Sequence, residues 1–547
     1  MVLGELSHFV REWIHKYLYF SKATICIQGL VFSHSFVNHA IMSILITYLQ
    51  YNWFHEHFQI AAVVTNVQEG VAGILVIFLA HFSHGFKGAL IIIATTNAAY
   101  ILGLSLLWLS NKYKSEDYVA KANIFYGAVV LLTLGESGRS AALVEFLNKQ
   151  CLSKHKETGR TDDKRPEGWE EASQQKEITG EKHTEAAGDP QVTKETAERD
   201  TKDFWGVPWF LGAVVPLFLL KTTWTQIFMI STIAMVVSYL LFWFGFNDYL
   251  KNNREAQAGE HPQVTERENL WTLNKKVRKK KRLRKEIVAS WLAFFVYSMV
   301  KAAGSTFFFE QISNLKNPIH NYDPAVYFNV LSSFSKYIIS FLFPKLIPKR
   351  TRTRIGCGMA STVLCCVAAW VVEIYRMRKV TRAGLEDDTS KTISMSIFWL
   401  VPQFFLLGLM EGLAVDGLID LSVDRVDEKD KQMVMYYGSH TSDLVVGTGK
   451  LLTALIILAL SKIWFNDSIN LSRLDKYYRL LTFLSLCSFV YYFCVAFYFY
   501  SKDDTENSAI EEHEQGHNGS GNMEMRPFRS LITRVIVDEF VNRFICV

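Results

Sequence analysis

Isolated charges interrupt several of the longest apolar stretches of this 547-residue sequence. Lys301 stands within one such stretch, and Glu411 stands within another. Asp443 and Lys450 lie seven residues apart in a third stretch, a spacing that puts both side chains on one face of a helix. A charge in apolar surroundings is stable only beside an opposite charge, a water-filled cavity or a charged ligand. These four residues therefore predict ion pairing, the binding of a charged solute, or both.

The apolar stretches themselves have the length and composition of membrane spans. Hydrophobic residues make up 50% of the chain and charged residues 20%, and the apolar residues are concentrated in blocks long enough to cross a bilayer core. This balance excludes collagen, a disordered chain and a small disulfide scaffold. Because backbone groups in lipid must bond within their own segment, we predict that every block is helical. The twelve predicted spans cover residues 25–47, 58–80, 88–109, 121–146, 204–220, 225–245, 286–309, 325–345, 355–374, 393–420, 433–462 and 475–501.

The spans fall into two groups of six, and such a pair of bundles is typical of a secondary transporter with a central site. We therefore predict an all-α membrane protein built from two six-helix bundles. The predicted divisions of the chain are an N-terminal segment (1–24), spans 1–4 (25–151), a disordered linker (152–203), spans 5 and 6 (204–245), a charged connection (246–285), the second bundle (286–501) and a tail (502–547).

Basic residues in the connections predict the orientation of the spans. Lys and Arg are concentrated between spans 6 and 7 (275–285) and between spans 8 and 9 (345–354), whereas the connection 50–59 contains neither. Because cytoplasmic connections carry the excess of Lys and Arg, both termini are predicted to lie in the cytoplasm. The connection after span 9, with Arg376, Arg378, Lys379 and Arg382, opposes this orientation and is outnumbered. A plasma membrane and a vacuolar membrane both fit this multi-pass protein.

The linker 152–203 and the tail 502–547 are the longest polar segments of the sequence. The linker contains almost no large apolar side chains, so it cannot bury enough surface to fold on its own. The tail begins with acidic residues and ends in a stretch that is either solvated or an amphipathic helix. Both segments are candidate binding sites for cytoplasmic regulators.

No pattern predicts an enzyme, a metal site or a cofactor. The eight cysteines include no CxxC pair and are expected to be reduced thiols. The stretch from Gly447 to Lys450 lacks the first glycine and the Ser/Thr of a phosphate-binding loop, and it lies in an apolar span. A net charge of +5 is too small to indicate a nucleic acid partner. The expected partners are therefore the lipid bilayer and a transported solute.

Several segments resemble one known family. The stretch from Ser396 to Glu411 resembles the tenth helix of the plant nitrate and peptide transporter family, which belongs to the proton-dependent oligopeptide transporters. The resemblance extends to other segments: Ser305–Gln311, Tyr437–Ser439, Leu474–Leu481 and, more weakly, Asn66–Gly70 and Gly103–Ser110. It implies the major facilitator fold, alternating access and, in most relatives, uptake coupled to protons.

The first half departs from the pattern of that family. Where relatives carry the ExxER motif of the first helix, this chain has Val31, His34 and Ser35. The lysine of the fourth helix falls at Ser140, and Arg139 is one position earlier. Proton coupling is therefore left open by the sequence. His34 is a weak candidate for the lost proton carrier, because an imidazole titrates near neutral pH, but a hydrogen-bonded packing role is the more common one.

The resemblance also suggests roles for the charges of the second half. Lys301 occupies the position where nitrate-transporting relatives have an anion-binding histidine, and a fixed ammonium suits a small anion. A structural ion pair with Glu411 is the alternative, and the two are compatible if an anion competes for the same lysine. Glu411 is expected to exchange partners during the cycle, or to remain in one permanent pair. Lys450 and Arg139 are candidate lining charges, although Lys450 could snorkel and Arg139 could pair with Glu136.

These features predict a transporter of nitrate or another small anionic solute. The loss of basic groups from the first half counts against a dipeptide, whose carboxylate such groups hold in peptide transporters. One alternative is a transporter of a peptide or another organic solute. The other is a relative that no longer transports and acts as a sensor or scaffold, which the retained charges Lys301, Glu411 and Lys450 oppose.

Overall fold

The structure, a computed structural model, describes most of the chain. The described residues are 21–42, 45–53, 58–83, 85–112, 118–162, 190–219, 222–258, 270–313, 315–318, 324–346, 351–385, 392–423, 428–465 and 469–515. Residues 1–20 of the predicted N-terminal segment and 516–547 of the predicted tail lie outside them.

The first half of the described chain is helical throughout. Its helices are α1 (Lys22–Ala40), α2 (Leu45–Asn52), α3 (Phe58–Phe82), α4 (Gly85–Lys112), α5 (Tyr118–Gly138), α6 (Val144–Asp162), α7 (Pro190–Val214), α8 (Trp224–Phe244) and α9 (Phe246–Ala258). A π-helical turn, Arg139–Leu143, joins α5 to α6, and a 3₁₀ turn, Val215–Phe218, ends α7.

The second half is helical apart from one short pair of strands. Its helices are α10 (Leu270–Ser305), α11 (Phe307–Ser313), α12 (Pro324–Leu346), α13 (Thr351–Ala383), α14 (Val401–Val423, after a 3₁₀ turn Ile397–Leu400), α15 (Glu428–Leu460) and α16 (Leu474–Gln515). The strands β1 (Leu315–Lys316) and β2 (Ile393–Ser396) pair in parallel, with Leu315 opposite Ile393. The compact unit Met1–Phe493 contains every contact discussed below, and Cys494–Val547 forms a second unit.

Ten helices in the described residues are long and apolar enough to span a membrane. They coincide with ten of the predicted spans, which supports the all-α membrane fold. The other two predictions, 25–47 and 204–220, fall on α1 with α2 and on α7, and neither meets the same criterion. In the prediction 25–47, the helix ends at Ala40 and a second helix begins at Leu45. In the prediction 204–220, the apolar part of α7 is short, because α7 begins with a polar segment and ends at Val214. Twelve spans therefore remain a prediction.

The ends of the predicted linker 152–203 are helical, which corrects its boundaries. Helix α6 continues to Asp162 and α7 begins at Pro190, while 163–189 lie outside the described residues. Contacts with neighbouring helices hold these polar ends. Ser153 donates a hydrogen bond to the backbone oxygen of Asn252 (2.7 Å), and Thr201 donates one to Asn148 (3.2 Å). The amino-acid composition of 152–203 does not reveal these tertiary contacts, so the predicted linker was too long.

Aromatic clusters form much of the interior of each half. In the first half Tyr48 packs against Phe228, with ring centroids 5.0 Å apart. In the second half Phe307 stacks on Phe465 at 5.3 Å. Phe58 of α3 contacts Phe307 at 6.0 Å, so an aromatic contact also crosses between the halves.

Helices α3 and α15 pack closely against each other where the two halves meet. A Cβ atom added at Gly73 would lie 2.6 Å from the backbone oxygen of Asp443 and 2.9 Å from Cα of Gly447. A side chain at this position would therefore push the two helices apart. Small residues allow helix backbones to approach closely in membranes, and here they bring charged residues of the two halves together.

Candidate functional site

Glu411 forms ion pairs with two lysines in the second half. Its Oε2 atom lies 3.3 Å from Nζ of Lys301 on α10 and 3.3 Å from Nζ of Lys336 on α12. The side chain of Glu411 is 16% exposed, that of Lys301 is 25% exposed and that of Lys336 is 47% exposed. Because one carboxylate faces two ammonium groups, this cluster has an excess of one positive charge and remains open to water.

A glycine on α14 explains why Lys336 reaches Glu411. A Cβ atom at Gly412 would lie 2.8 Å from the backbone oxygen of Lys336, so α12 and α14 touch beside the carboxylate. The sequence prediction included Lys301 but missed Lys336. The same signal, a single charge in the middle of an apolar span, is present at both positions.

Lys450 forms an ion pair across the interface between the halves. Its ammonium contacts the carboxylate of Glu69 on α3, and the Ser305 hydroxyl donates a hydrogen bond to the same carboxylate (3.1 Å). The Lys450 side chain is only 8% exposed, so it is paired and does not snorkel. The sequence did not predict Lys450 as the partner of Glu69, because the two residues lie on helices that are far apart in the chain.

Arg139 and Glu136 pair within the first half, as their spacing predicted. The guanidinium of Arg139 donates to Glu136 and also lies over the ring of Trp209, 4.7 Å from its centroid. Arg139 begins the π-helical turn. Such a turn inserts one residue into a helix and changes the direction of the side chains that follow, and π turns are common at functional sites.

His34 is buried within the first half. Its Nε2–H group donates to the side-chain oxygen of Asn97 (2.7 Å), and its ring packs on Tyr100 with centroids 5.0 Å apart. Nδ1 has no hydrogen-bond partner among the described residues. This environment supports the packing role for His34, and the proton-carrying role remains a prediction.

Asp443 is the remaining carboxylate near these groups. Its side chain is partly buried and forms no hydrogen bond or ion pair with the described part of the chain. The charges that act on it most strongly belong to Arg139, Lys301 and Lys336. The sequence placed Asp443 on the same helix face as Lys450, but it did not show that only Lys450 has a direct partner.

The charges described above form one electrostatic group, which we call the central charge cluster. Its members are Glu69, Glu136, Arg139, Lys301, Lys336, Glu411, Asp443 and Lys450. Four of these residues are cations and four are carboxylates, so the cluster is neutral when every member is ionised. The excess positive charge lies around Glu411, and the carboxylate without a direct partner is Asp443.

Two further ion-paired groups lie in the second half. Arg354, at the start of α13, contacts Asp416 and Asp420 at 2.7 Å each, so one guanidinium pairs with two carboxylates of α14. Glu373 and Arg376 of α13 pair at 2.8 Å and are fully buried. Arg376 is therefore part of the protein interior and should not be counted among the charges that opposed the predicted orientation.

No group of three or more potential metal ligands of the His, Cys, Asp and Glu types occurs in the described ranges. Because Glu411 faces two cations, the central charge cluster can support an exchange of ion-pair partners.

Comparisons with known proteins find similarity to one family of membrane transporters. Residues 259–457 match the PTR2 model, described as POT family. Protein NRT1/ PTR FAMILY 5.10 of Arabidopsis thaliana is 24% identical, over 87% of this chain and 92% of that protein. Protein NRT1/ PTR FAMILY 5.13 of the same plant is 23% identical, over 88% and 94%.

Solved structures show the same fold. The crystal structure of the POT family transporter PepTSo superposes with a TM-score of 0.58 at 14% identity, covering 88% of this chain and 98% of that one. An auto-inhibited POT family peptide transporter gives a TM-score of 0.57 at 13% identity, covering 87% and 96%.

Proposed function

We propose that this chain is a divergent member of the POT and NRT1/PTR transporter family and that it moves nitrate or another small anionic solute across a membrane by alternating access. The similarity to that family and the shared fold support a membrane transporter, and the choice of solute rests on the charges of the site. The observation that supports this choice is the pairing of one carboxylate, Glu411, with two lysines.

The two lysines allow Glu411 to release one partner without losing the other. An anion that binds Lys301 competes with Glu411 for the ammonium, while Lys336 continues to neutralise the carboxylate. No buried charge is left without a partner during the exchange, so a large electrostatic penalty is avoided. When the anion leaves, Lys301 returns to Glu411. Glu411 thus changes partners with the occupancy of the site.

Two neutral ion pairs, one within the first half and one between the halves, form another wall of the same site. Arg139 is engaged by Glu136 and Trp209, and Lys450 is engaged by Glu69. These residues are proposed to line the path of the solute, while the exposed excess charge around Glu411 provides the attraction. Electrostatic attraction of this kind favours small anions over neutral solutes of similar size.

Labelled nitrate flux into proteoliposomes tests this function. We expect flux in the wild type and its loss in Lys301→Ala, since the variant removes the ammonium that binds the anion. Lys301→Arg should retain part of the flux because it keeps the charge. Lys112→Ala, a change at the exposed end of α4, is the matched control and should transport normally. Folded wild-type protein that moves no nitrate contradicts the nitrate assignment.

Peptide transport is the second candidate. The similar solved structures include a protein described as a peptide transporter, and Asp443 offers a carboxylate without a direct partner for a substrate ammonium group. A competition assay separates the two functions. Excess dipeptide should leave nitrate flux unchanged if the site takes small anions, and it should be transported in place of nitrate if the site takes peptides. Binding of a solute without flux would instead identify the sensor or scaffold alternative.

A further inference from the structure

One carboxylate of the central charge cluster, Asp443, has no direct partner among the described residues. From its geometry we infer that Asp443 is the proton-binding group that couples anion movement to a proton gradient. This inference rests on the proposed function, because it needs an anion bound at Lys301.

Asp443 differs from the other carboxylates of the central charge cluster. Glu69, Glu136 and Glu411 each form an ion pair with a lysine or an arginine. A proton added to any of them would break that pair. Asp443 has no ion pair or hydrogen bond from its side chain within the described residues, so it can take up a proton without breaking an existing contact.

The charge balance of the cluster links this proton to an anion. With Asp443 ionised, the four cations and four carboxylates cancel. When Asp443 binds a proton from the solution, one positive charge is left without compensation, and a monovalent anion at Lys301 restores neutrality. Release of the anion and of the proton on the other side returns the cluster to its first state. The cycle therefore moves one proton with each anion and no net charge.

The position of Asp443 connects this proton to the motion of the halves. Its backbone oxygen lies at the closest contact of α3 with α15, where a Cβ atom at Gly73 would be only 2.6 Å away. Alternating access requires the two halves to move against each other at this kind of interface. A change in the charge of Asp443 therefore acts at the contact that must rearrange.

Four charged groups act on Asp443 directly: Arg139 and Glu136 of the first half, Lys301 on α10 and Lys336 on α12. The other titratable groups of the elements packed on α15, and of α15 itself, are Glu69 on α3, Glu411 on α14, His440 and Lys450. The cations among them stabilise the ionised form of Asp443, and a bound anion at Lys301 weakens that effect. Anion binding and proton binding should therefore be mutually favourable.

Asp443→Asn is the variant that tests this inference, because an amide imitates the protonated carboxyl group. Nitrate uptake into full-length protein in proteoliposomes is measured with and without an inward proton gradient. Exchange of labelled for unlabelled nitrate without a gradient is measured in the same vesicles. We expect the variant to lose the stimulation by the gradient and to keep the exchange, with an apparent nitrate affinity that no longer changes with pH. Asp443→Glu should recover the stimulation.

Asp475→Asn, a change in an acid at the start of α16 that pairs with Arg473, is the matched control and should retain both activities. Retained stimulation in Asp443→Asn overturns the inference. Loss of exchange together with stimulation in folded Asp443→Asn overturns it as well, since Asp443 would then bind solute or hold the structure. Wild-type flux that is independent of the gradient refutes the inference while the proposed function stands. Absence of any nitrate flux in the wild type refutes both.

Discussion

Glu373 and Glu411 are two ion-paired carboxylates of the second half that meet their cations in opposite ways. Glu373 pairs with Arg376 three residues away, and both side chains are completely buried. Glu411 pairs with Lys301 and Lys336 from two other helices, and all three side chains keep some exposure. The first pair is closed to solvent, and the second is open to it.

Hydrogen bonds make the closed pair difficult to change. Gln311 donates to Glu373 (2.6 Å), and Arg376 donates to the side chain of Asn470 (2.8 Å) and to the backbone oxygen of Ile469 (2.9 Å). A buried pair with its remaining donors and acceptors satisfied fixes the packing of the helices that supply them. By contrast, Glu411 has two interchangeable partners. We infer that a buried ion pair whose hydrogen-bonding groups are all satisfied is structural. A carboxylate with two alternative cations is instead a site where ion-pair partners can exchange.

Removal of one member of the closed pair should have the largest effect. Arg376→Ala leaves the carboxylate of Glu373 buried without a cation, which typically destabilises a protein by about 3–5 kcal/mol. We expect a large drop in the thermal unfolding midpoint in detergent and in the yield of folded protein. Arg378→Ala, at an exposed position two residues away, is the control and should behave like the wild type. An unchanged midpoint in Arg376→Ala would refute the structural role.

A double-mutant cycle should reveal the redundancy around Glu411. Lys301→Ala and Lys336→Ala should each destabilise the protein by about 1 kcal/mol or less, because the other lysine still neutralises Glu411 and the groups are partly exposed. The double variant leaves no cation on the carboxylate and should lose about 3 kcal/mol or more. The measurement is the unfolding midpoint of all four proteins. Additive losses would show that the lysines do not replace each other.

The charged residues also differ in how far their contacts could be predicted from the sequence. Single charges in apolar stretches predicted that Lys301, Glu411 and Lys450 would have charged partners, because such positions are rarely tolerated without one. The pair of Arg139 with Glu136 followed from helical periodicity. These predictions rest on local spacing and composition, which determine which residues are buried and which share a helix face.

Contacts between distant helices could not be predicted in this way. Glu69 and Lys450 are 381 positions apart, and Glu411 and Lys336 are 75 positions apart. Their pairing depends on glycines that let specific helices touch, and one sequence does not show which helices are neighbours. Arg376 resembled an interfacial charge for the same reason, because its partners Ile469 and Asn470 precede a different helix. The ten membrane-spanning helices were predictable because hydropathy is a local property.

The glycine contact between the halves gives a smaller expected effect on stability than the double lysine variant and the most direct test of motion. Gly73→Ala adds a methyl group 2.6 Å from the backbone of Asp443, so α3 and α15 must separate, and overpacking of this kind typically destabilises by about 1–3 kcal/mol. We expect a modest fall in the unfolding midpoint and a larger fall in nitrate flux, because the distorted contact is the one that rearranges during transport.

Gly127→Ala is the matched control. Its Cβ atom meets nothing within 4 Å, so the change should be neutral or stabilise the protein by up to about 1 kcal/mol. If Gly73→Ala transports as well as Gly127→Ala, the contact between α3 and α15 is not part of the moving interface, and the link between the charge of Asp443 and that motion must be abandoned.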